Sequence, residues 1–325
     1  MAFGIFLIWY VFKDLTDAEM DELKSAFSKA NYFWVGLAII CGFLSHVSRA
    51  VRWSYMLNSL GYKPSVVNNY HAVMIAYVVN MILPRAGEAS RCALMTKYEG
   101  IPFNKSFGTV VAERAIDLTV LLSVTAITIL TQFSILSDSE EAQEMLSGAS
   151  GKFSQGTIYW VLGGIVIGIL LLILIMRRYS HVAFIIKMKA FFKGIGDGLK
   201  TIFTMEKKIQ YLVHTVFIWG MYLAALICCL LALDVTENFS IGAVLAAFVF
   251  GSFAIALVQG GIGAYPFAVM KALMLYGVAK TTGLAAGWIV WSSQTLLLIV
   301  LGGLSMILVI SYNKNREVPK ETPAG

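Results

Sequence analysis

The chain has 325 residues, of which 58% are hydrophobic and 14% charged, and its mean hydropathy is +0.75. A soluble domain carries about 25% charged residues, so a globular aqueous fold is excluded, and no polar stretch is long enough for a soluble catalytic module. The formal net charge of +6 does not point to nucleic acid, because the cations are spread over segments that flank apolar runs.

In chain order, residues 2–12 are apolar but short for a span. They lack the basic n-region and the small-residue cleavage site of a signal peptide, so they read as a short first span. Five longer apolar runs follow at 32–47, 107–133, 157–176, 209–233 and 284–310; the first of these needs its flanks to reach the ~20 residues that crossing requires. Two further apolar regions are broken in the middle. Residues 66–100 are interrupted at 80–87 by Asn80, Pro84 and Gly87, and residues 240–278 at 259–266 by Gly260, Gly261, Gly263 and Pro266.

Charge bias sets the orientation. The loop 177–208 carries eight Lys/Arg against two acids and reads as a cytoplasmic, basic amphipathic segment, whereas 134–156 carries one Lys and four acids and reads as external, as does 234–240. Arg49, Arg52 and Lys63 follow the second span unopposed and read as cytoplasmic, as does the tail with Lys314, Arg316 and Lys320. These assignments agree only if each broken region enters and leaves on one face. The expected fold is therefore a single all-α polytopic membrane domain over 1–325, with about six transmembrane helices and two re-entrant helical hairpins. The units 32–133 and 209–310 have opposite topology and form an inverted repeat, with both termini cytoplasmic. Broken segments at matching places of inverted repeats point to a transport site near the midplane, and non-helical backbone at that depth must be buried or line a wet cavity.

Ionisable groups inside a bilayer pair or face a cavity. Glu88 and Arg91 lie three apart just past the first break and read as an ion pair or a headgroup contact, with Arg85 beside them. Glu113, Arg114 and Asp117 form a second cluster. Arg114 and Asp117 are spaced to pair, and Glu113 and Asp117 to share a face and a proton, as a coupling site or a structural network. Both hairpins start their second helix near the midplane, so two positive helix ends would face one region, a ready anion site. Lys271 either lines that cavity or snorkels outward.

Cys41, Cys92, Cys228 and Cys229 match no zinc or haem spacing, and His46, His71, His181 and His214 no metal spacing, so neither a metal nor a cofactor is expected. Trp9, Trp34, Trp53, Trp160 and Trp219 suit aromatic belts or packing. Gly163-Gly164 and Gly302-Gly303 suit close helix contacts.

The residues Arg52-Trp53, then Asn80…Pro84-Arg85-Ala86-Gly87-Glu88-Ala89-Ser90-Arg91, then Glu113-Arg114-Ala115-Ile116-Asp117 resemble the transmembrane, flippase-like region of lysylphosphatidylglycerol synthases. They also resemble its stand-alone members, once called uncharacterised family 0104. Gln259-Gly260-Gly261-Ile262-Gly263-Ala264-Tyr265 is similar to the family's Gly-Gly-x-Gly segment, and the resemblance covers nearly the whole chain. It implies movement of a phosphate-bearing lipid or lipid-linked intermediate between leaflets of the cytoplasmic membrane. The expected substrate contacts are Arg85, Glu88, Arg91, Arg114, Gly260, Gly261, Gly263, Tyr265 and Lys271, with Glu88 orienting Arg91 or binding a cationic headgroup, and with Glu113, Asp117 and Gln259 in coupling or structural roles. Many members carry Glu shortly after the glycine run where this chain has Pro266, so its lipid is expected to differ from that of the bifunctional members. The cytosolic synthase domain has no counterpart here, so a partner lipid-synthesising enzyme is implied. The alternatives are an intramembrane enzyme using Glu88 or Glu113/Asp117 as base, an ion or proton transporter, or a scaffold for a synthase. An enzyme lacks any nucleophile–base pair or nucleotide loop in the sequence.

Overall fold

The computed structural model of the protein describes residues 2–13, 15–132, 205–233 and 240–317, and these are helices joined by short turns, with no strand among them. The expected span 157–176, the loop 134–156 and most of 177–208 and 234–240 lie outside the described residues. The helices are α1 (Ala2–Lys13), α2 (Asp17–Lys29), α3 (Tyr32–Asn58), α4 (Val66–Ile82), α5 (Ala86–Glu99), α6 (Phe103–Thr131), α7 (Lys208–Leu231), α8 (Ile241–Leu257), α9 (Ala264–Met274) and α10 (Lys280–Asn313). Four of them, α3, α6, α7 and α10, are long and apolar enough to cross a membrane. The protein is a polytopic membrane protein.

Local chemistry sets the boundaries. Thr16 and Glu19 form a reciprocal capping box at the start of α2. The Thr16 N–H and then Lys280 hold the Glu19 carboxyl below the usual carboxylate range. Pro84 forces Leu83 out of the helical region and ends α4. The orphan N–H of Gly87 at the start of α5 is taken by the Asn80 side chain at 2.8 Å. A Cβ at Gly87 would collide with the Ala76 carbonyl, so glycine is what lets α4 and α5 close into a hairpin. In the second hairpin Gly260, Gly261 and Gly263 all hold φ between 65° and 68°, a region glycine enters without steric cost.

Contacts between helix ends fix the topology. At one end of the bundle, here the lower, Asn68 at the start of α4 bonds Glu99 at the end of α5, so the first hairpin enters and leaves on one face. Asn313, at the end of α10, exchanges hydrogen bonds with Asn68 there. At the upper end Asn31, before α3, donates to the Ala232 carbonyl just after α7. Tyr276, after α9, donates to Gln132 at the end of α6, whose side chain also packs on Gly242 at the start of α8. The second hairpin therefore opens upward. Between the two, Gln259 donates to the carbonyls of Asn80 and Met81, both at 3.1 Å, so the two hairpins touch at their turns. Long helix, hairpin and long helix thus occur twice with opposite sense. Each hairpin also leans on the other unit: α4 packs on α10, where Gly302 has no room for a side chain beside Met74 and Val78, and α8 packs on α6. Small residues at such crossings are how membrane helices approach closely. Gly303, by contrast, faces open space.

Two expectations are corrected. Residues 2–12 were read as a span, but α1 rises about 18 Å against a hydrocarbon core of ~30 Å. Its Gly4 sits against Ile262 and Gly263 at the tip of the second hairpin. Second, the run expected to stop at 47 continues to Asn58, so Arg49 and Arg52 are buried inside α3 rather than exposed in a loop. Their burial is possible because each finds carboxylates on α6.

In a background with the four native cysteines replaced, K63C and K314C should react with an impermeant maleimide from one side of the membrane and A279C from the other. Labelling of K63C and K314C from opposite sides would contradict this topology.

Candidate functional site

The site is built on α3 and α6. Arg49 and Arg52 lie one turn apart on α3, and Glu113 and Asp117 one turn apart on α6, so two cations face two anions across one helix crossing. Arg49 Nη1 donates to Glu113 Oε1 at 2.7 Å and to Asp117 Oδ2 at 2.8 Å; Arg52 Nη2 donates to the same two carboxylates at 2.9 and 3.0 Å. Arg91 from α5 adds a third guanidinium, with Nη2 2.9 Å from Glu113 Oε2. Side-chain exposure is 1% for Glu113, 0% for Arg52 and 3% for Arg91, so the network is buried around Glu113. Aromatic groups hold it in place. Arg91 lies 3.6 Å over the Trp53 ring, and the Trp53 indole N–H donates to Thr109. Arg49 Nη2 donates to the Tyr222 hydroxyl and Arg52 Nη1 to Thr215, tying the network to α7.

A second pair sits nearer the surface. Arg114 Nη2 lies 3.2 Å from Glu88 Oε1, with side-chain exposures of 45% and 24%. Glu88 Oε2 accepts from Asn80, the residue that caps α5 and offers its own carbonyl to Gln259. Asn80 therefore links the charge cluster, the first hairpin's turn and the second hairpin. Arg49, Val73, Ala76, Tyr77, Asn80, Glu88, Arg91 and Arg114 enclose a small cavity. It has room for about one water, so nothing larger fits unless these walls part.

The pairings differ from those read in the sequence. Glu88 does not pair with Arg91 and Arg114 does not pair with Asp117: Arg91 reaches Glu113, and Arg114 reaches Glu88. Sequence spacing captures contacts along one helix, whereas both carboxylates of α6 face α3. With three arginines on it, Glu113 has no need of a proton shared with Asp117. Arg85 holds φ +63° at the exposed hairpin tip and has no polar partner among the described residues. Gln259 bridges the hairpins as a structural donor.

The glycine turn is not part of the cavity wall. Gly260, Gly261 and Gly263 pack away from it: the Trp291 indole donates to the Gly260 carbonyl, and Gly263 lies against Gly4 and Ile8 of α1. Tyr265 is buried, its ring filling the groove at Gly251, and Lys271 is half-buried in the last turn of α9. The two helix ends thus meet through Gln259 but do not share one cavity, because α1 covers the second. Arg49 and Arg52 are the members that sequence reasoning placed elsewhere. Two carboxylates one turn apart in an apolar helix, without nearby cations to match both, were the signal that further cations had to come from another helix.

The sequence profile of the lysylphosphatidylglycerol synthase transmembrane region matches residues 1–303. A UPF0104 membrane protein of Methanocaldococcus jannaschii is 32% identical over 109 residues, which is 33% of this chain and 32% of that protein. The match therefore spans about a third of the relative's length. No solved structure matches the chain.

Breaking a buried ion pair costs about 3–5 kcal/mol, whereas exposed pairs contribute up to ~1 kcal/mol. Glu113→Gln should therefore collapse expression and the thermal midpoint in detergent, and Glu88→Gln should lower the midpoint by only a few degrees. A Glu113→Gln protein melting like the parent would contradict the assignment of Glu113 as the anchor.

Proposed function

Because this chain belongs to the family of the lysylphosphatidylglycerol synthase transmembrane region, we propose that it moves a phosphate-bearing lipid or lipid-linked intermediate between membrane leaflets without altering it chemically. The observation that carries the reading is the arginine-rich cluster beneath a re-entrant hairpin whose tip is bonded to a second, inverted hairpin. Such a cluster is expensive inside a bilayer and marks a substrate path, and inverted hairpins meeting inside a bundle supply the moving parts of alternating access.

In this reading the phosphate lodges among Arg114, Arg91 and Arg49 at the cavity, with Arg85 at the tip meeting the incoming headgroup, while the acyl chains stay in lipid. Guanidinium groups suit the role because their fork bonds two phosphate oxygens. Passage requires the Gln259 contact to loosen and the Glu88–Arg114 pair to open. The Glu113 anchor stays closed throughout. A separate lipid-synthesising enzyme supplies the substrate. The membrane is the cytoplasmic membrane and the lower face is its cytoplasmic side. Supporting this, Lys63, Lys97, Lys105, Lys207, Lys208, Lys314 and Arg316 lie at lower helix ends.

Protein reconstituted in liposomes should exchange fluorescent phospholipid between leaflets, with the recovered lipid unmodified. Gly261→Val would force a β-branched residue to φ +65° with its Cβ 3.1 Å from Ile255. That strain of about 1–3 kcal/mol in the second hairpin's turn should slow exchange about tenfold without preventing insertion. Recovery of a chemically modified lipid, or exchange no faster than in empty liposomes, would overturn the proposal.

A further inference from the structure

The charges around the cavity do not balance. Among the described residues the network joins four guanidinium groups, Arg49, Arg52, Arg91 and Arg114, to three carboxylates, Glu88, Glu113 and Asp117, leaving one positive charge in excess. The hydrogen bonds are unbalanced in the same direction. All six carboxylate oxygens accept at least one bond or ion-pair contact from an arginine or from Asn80. On the donor side the Nε–H groups of Arg49, Arg52 and Arg91 are buried without a partner, and Arg49 and Arg91 both line the cavity. Buried guanidinium donors left unpaired at this depth are costly. What the cluster lacks is one acceptor carrying one negative charge.

From this shortfall we infer that the site selects a singly anionic phosphodiester headgroup without a compensating cation, and that Glu88 sets that charge limit. This deepens, and rests on, the lipid-transport reading above. A phosphodiester brings one charge and acceptor oxygens only, which meets both deficits. A headgroup amine finds no free carboxylate, because Glu113 and Asp117 are each held by two or more arginines and Glu88 is bonded to Arg114 and Asn80. A cationic or zwitterionic lipid would therefore leave the excess charge in place. Glu88 is the adjustable member, since it is the one carboxylate of the three that lines the cavity and it is partly exposed. Its removal raises the excess to two charges, whereas loss of the Arg114 charge brings it to zero.

The test uses phosphatidylcholine liposomes holding labelled phosphatidylglycerol, phosphatidylethanolamine or phosphatidic acid, with soluble headgroups assayed in parallel by thermal shift. The parent protein should exchange phosphatidylglycerol at least about tenfold faster than phosphatidylethanolamine, because charge complementarity governs discrimination. Glu88→Gln should shift preference toward phosphatidic acid at pH 8, where its phosphomonoester approaches two charges, and Arg114→Gln should erase the preference for anionic lipids. Glycerophosphoglycerol should raise the melting temperature and glycerophosphocholine should not. Equal exchange of anionic and zwitterionic lipids overturns the selectivity, as does a stabilisation by inorganic phosphate equal to that by glycerophosphoglycerol. If no lipid moves yet glycerophosphoglycerol alone stabilises the protein, the transport reading fails and the selectivity stands. If neither occurs, both fail.

Discussion

One buried carboxylate organises this protein. Glu113 sits where α3, α5 and α6 converge and accepts hydrogen bonds from Arg49, Arg52 and Arg91. Among the described residues Glu113 is the one carboxylate that meets all three, since Asp117 faces only Arg49 and Arg52. Because the three come from two other helices, the electrostatics that make the charges tolerable also fix how the first hairpin packs. A hydrophobic contact of similar area would stabilise the same crossing without holding guanidinium groups beside a cavity. A buried network of this kind is weak evidence for stability in itself. Its placement beneath a hairpin break is what supports the transport proposal.

The network divides into a fixed part and an exchangeable part. Arg49 and Arg52, which hold Glu113 and Asp117, are themselves held by Tyr211, Thr215 and Tyr222, so repacking them would disturb α7 as well. Glu88, Arg114 and Asn80 lie toward the opening and are joined by single bonds near 3.2 Å. Asn80 also carries the contact with Gln259. Asn80 therefore joins the cavity wall to the tip of the second hairpin through one residue, which in the proposed mechanism is the path between headgroup and hairpin. The 34-residue α10 backs this arrangement, packing against α9, α4 and α3.

Much of this was legible from the sequence. Composition gave the class. The two glycine/proline breaks placed the hairpins, and the requirement that charge-bearing loops fall on consistent sides gave their opposite directions. The first hairpin's direction is legible even though two of the cations beside it, Arg49 and Arg52, are buried in α3. Lys63 and the tail sufficed. Pairing was not legible, because helical spacing relates residues on one helix whereas Arg91–Glu113 and Arg114–Glu88 join different helices. Nor could the cover formed by α1 be read: Gly4 against Gly263 is a contact between two glycines more than 250 positions apart, with no periodicity to announce it. Tyr265 and Lys271 were drawn into the expected site by adjacency to the glycine turn, whereas the turn sends them into the second half of the bundle and its core.

In the proposed mechanism an anionic headgroup completes the arginine cluster. A structure of the protein in nanodiscs containing phosphatidylglycerol tests it most directly. Phosphate density is expected within about 3 Å of guanidinium nitrogens of Arg114 and of Arg91 or Arg49, with Glu88 displaced from Arg114 and Glu113 unmoved. Headgroup density confined to the second hairpin's turn, with the Glu88–Arg114 pair intact and the cavity empty of lipid, would contradict it.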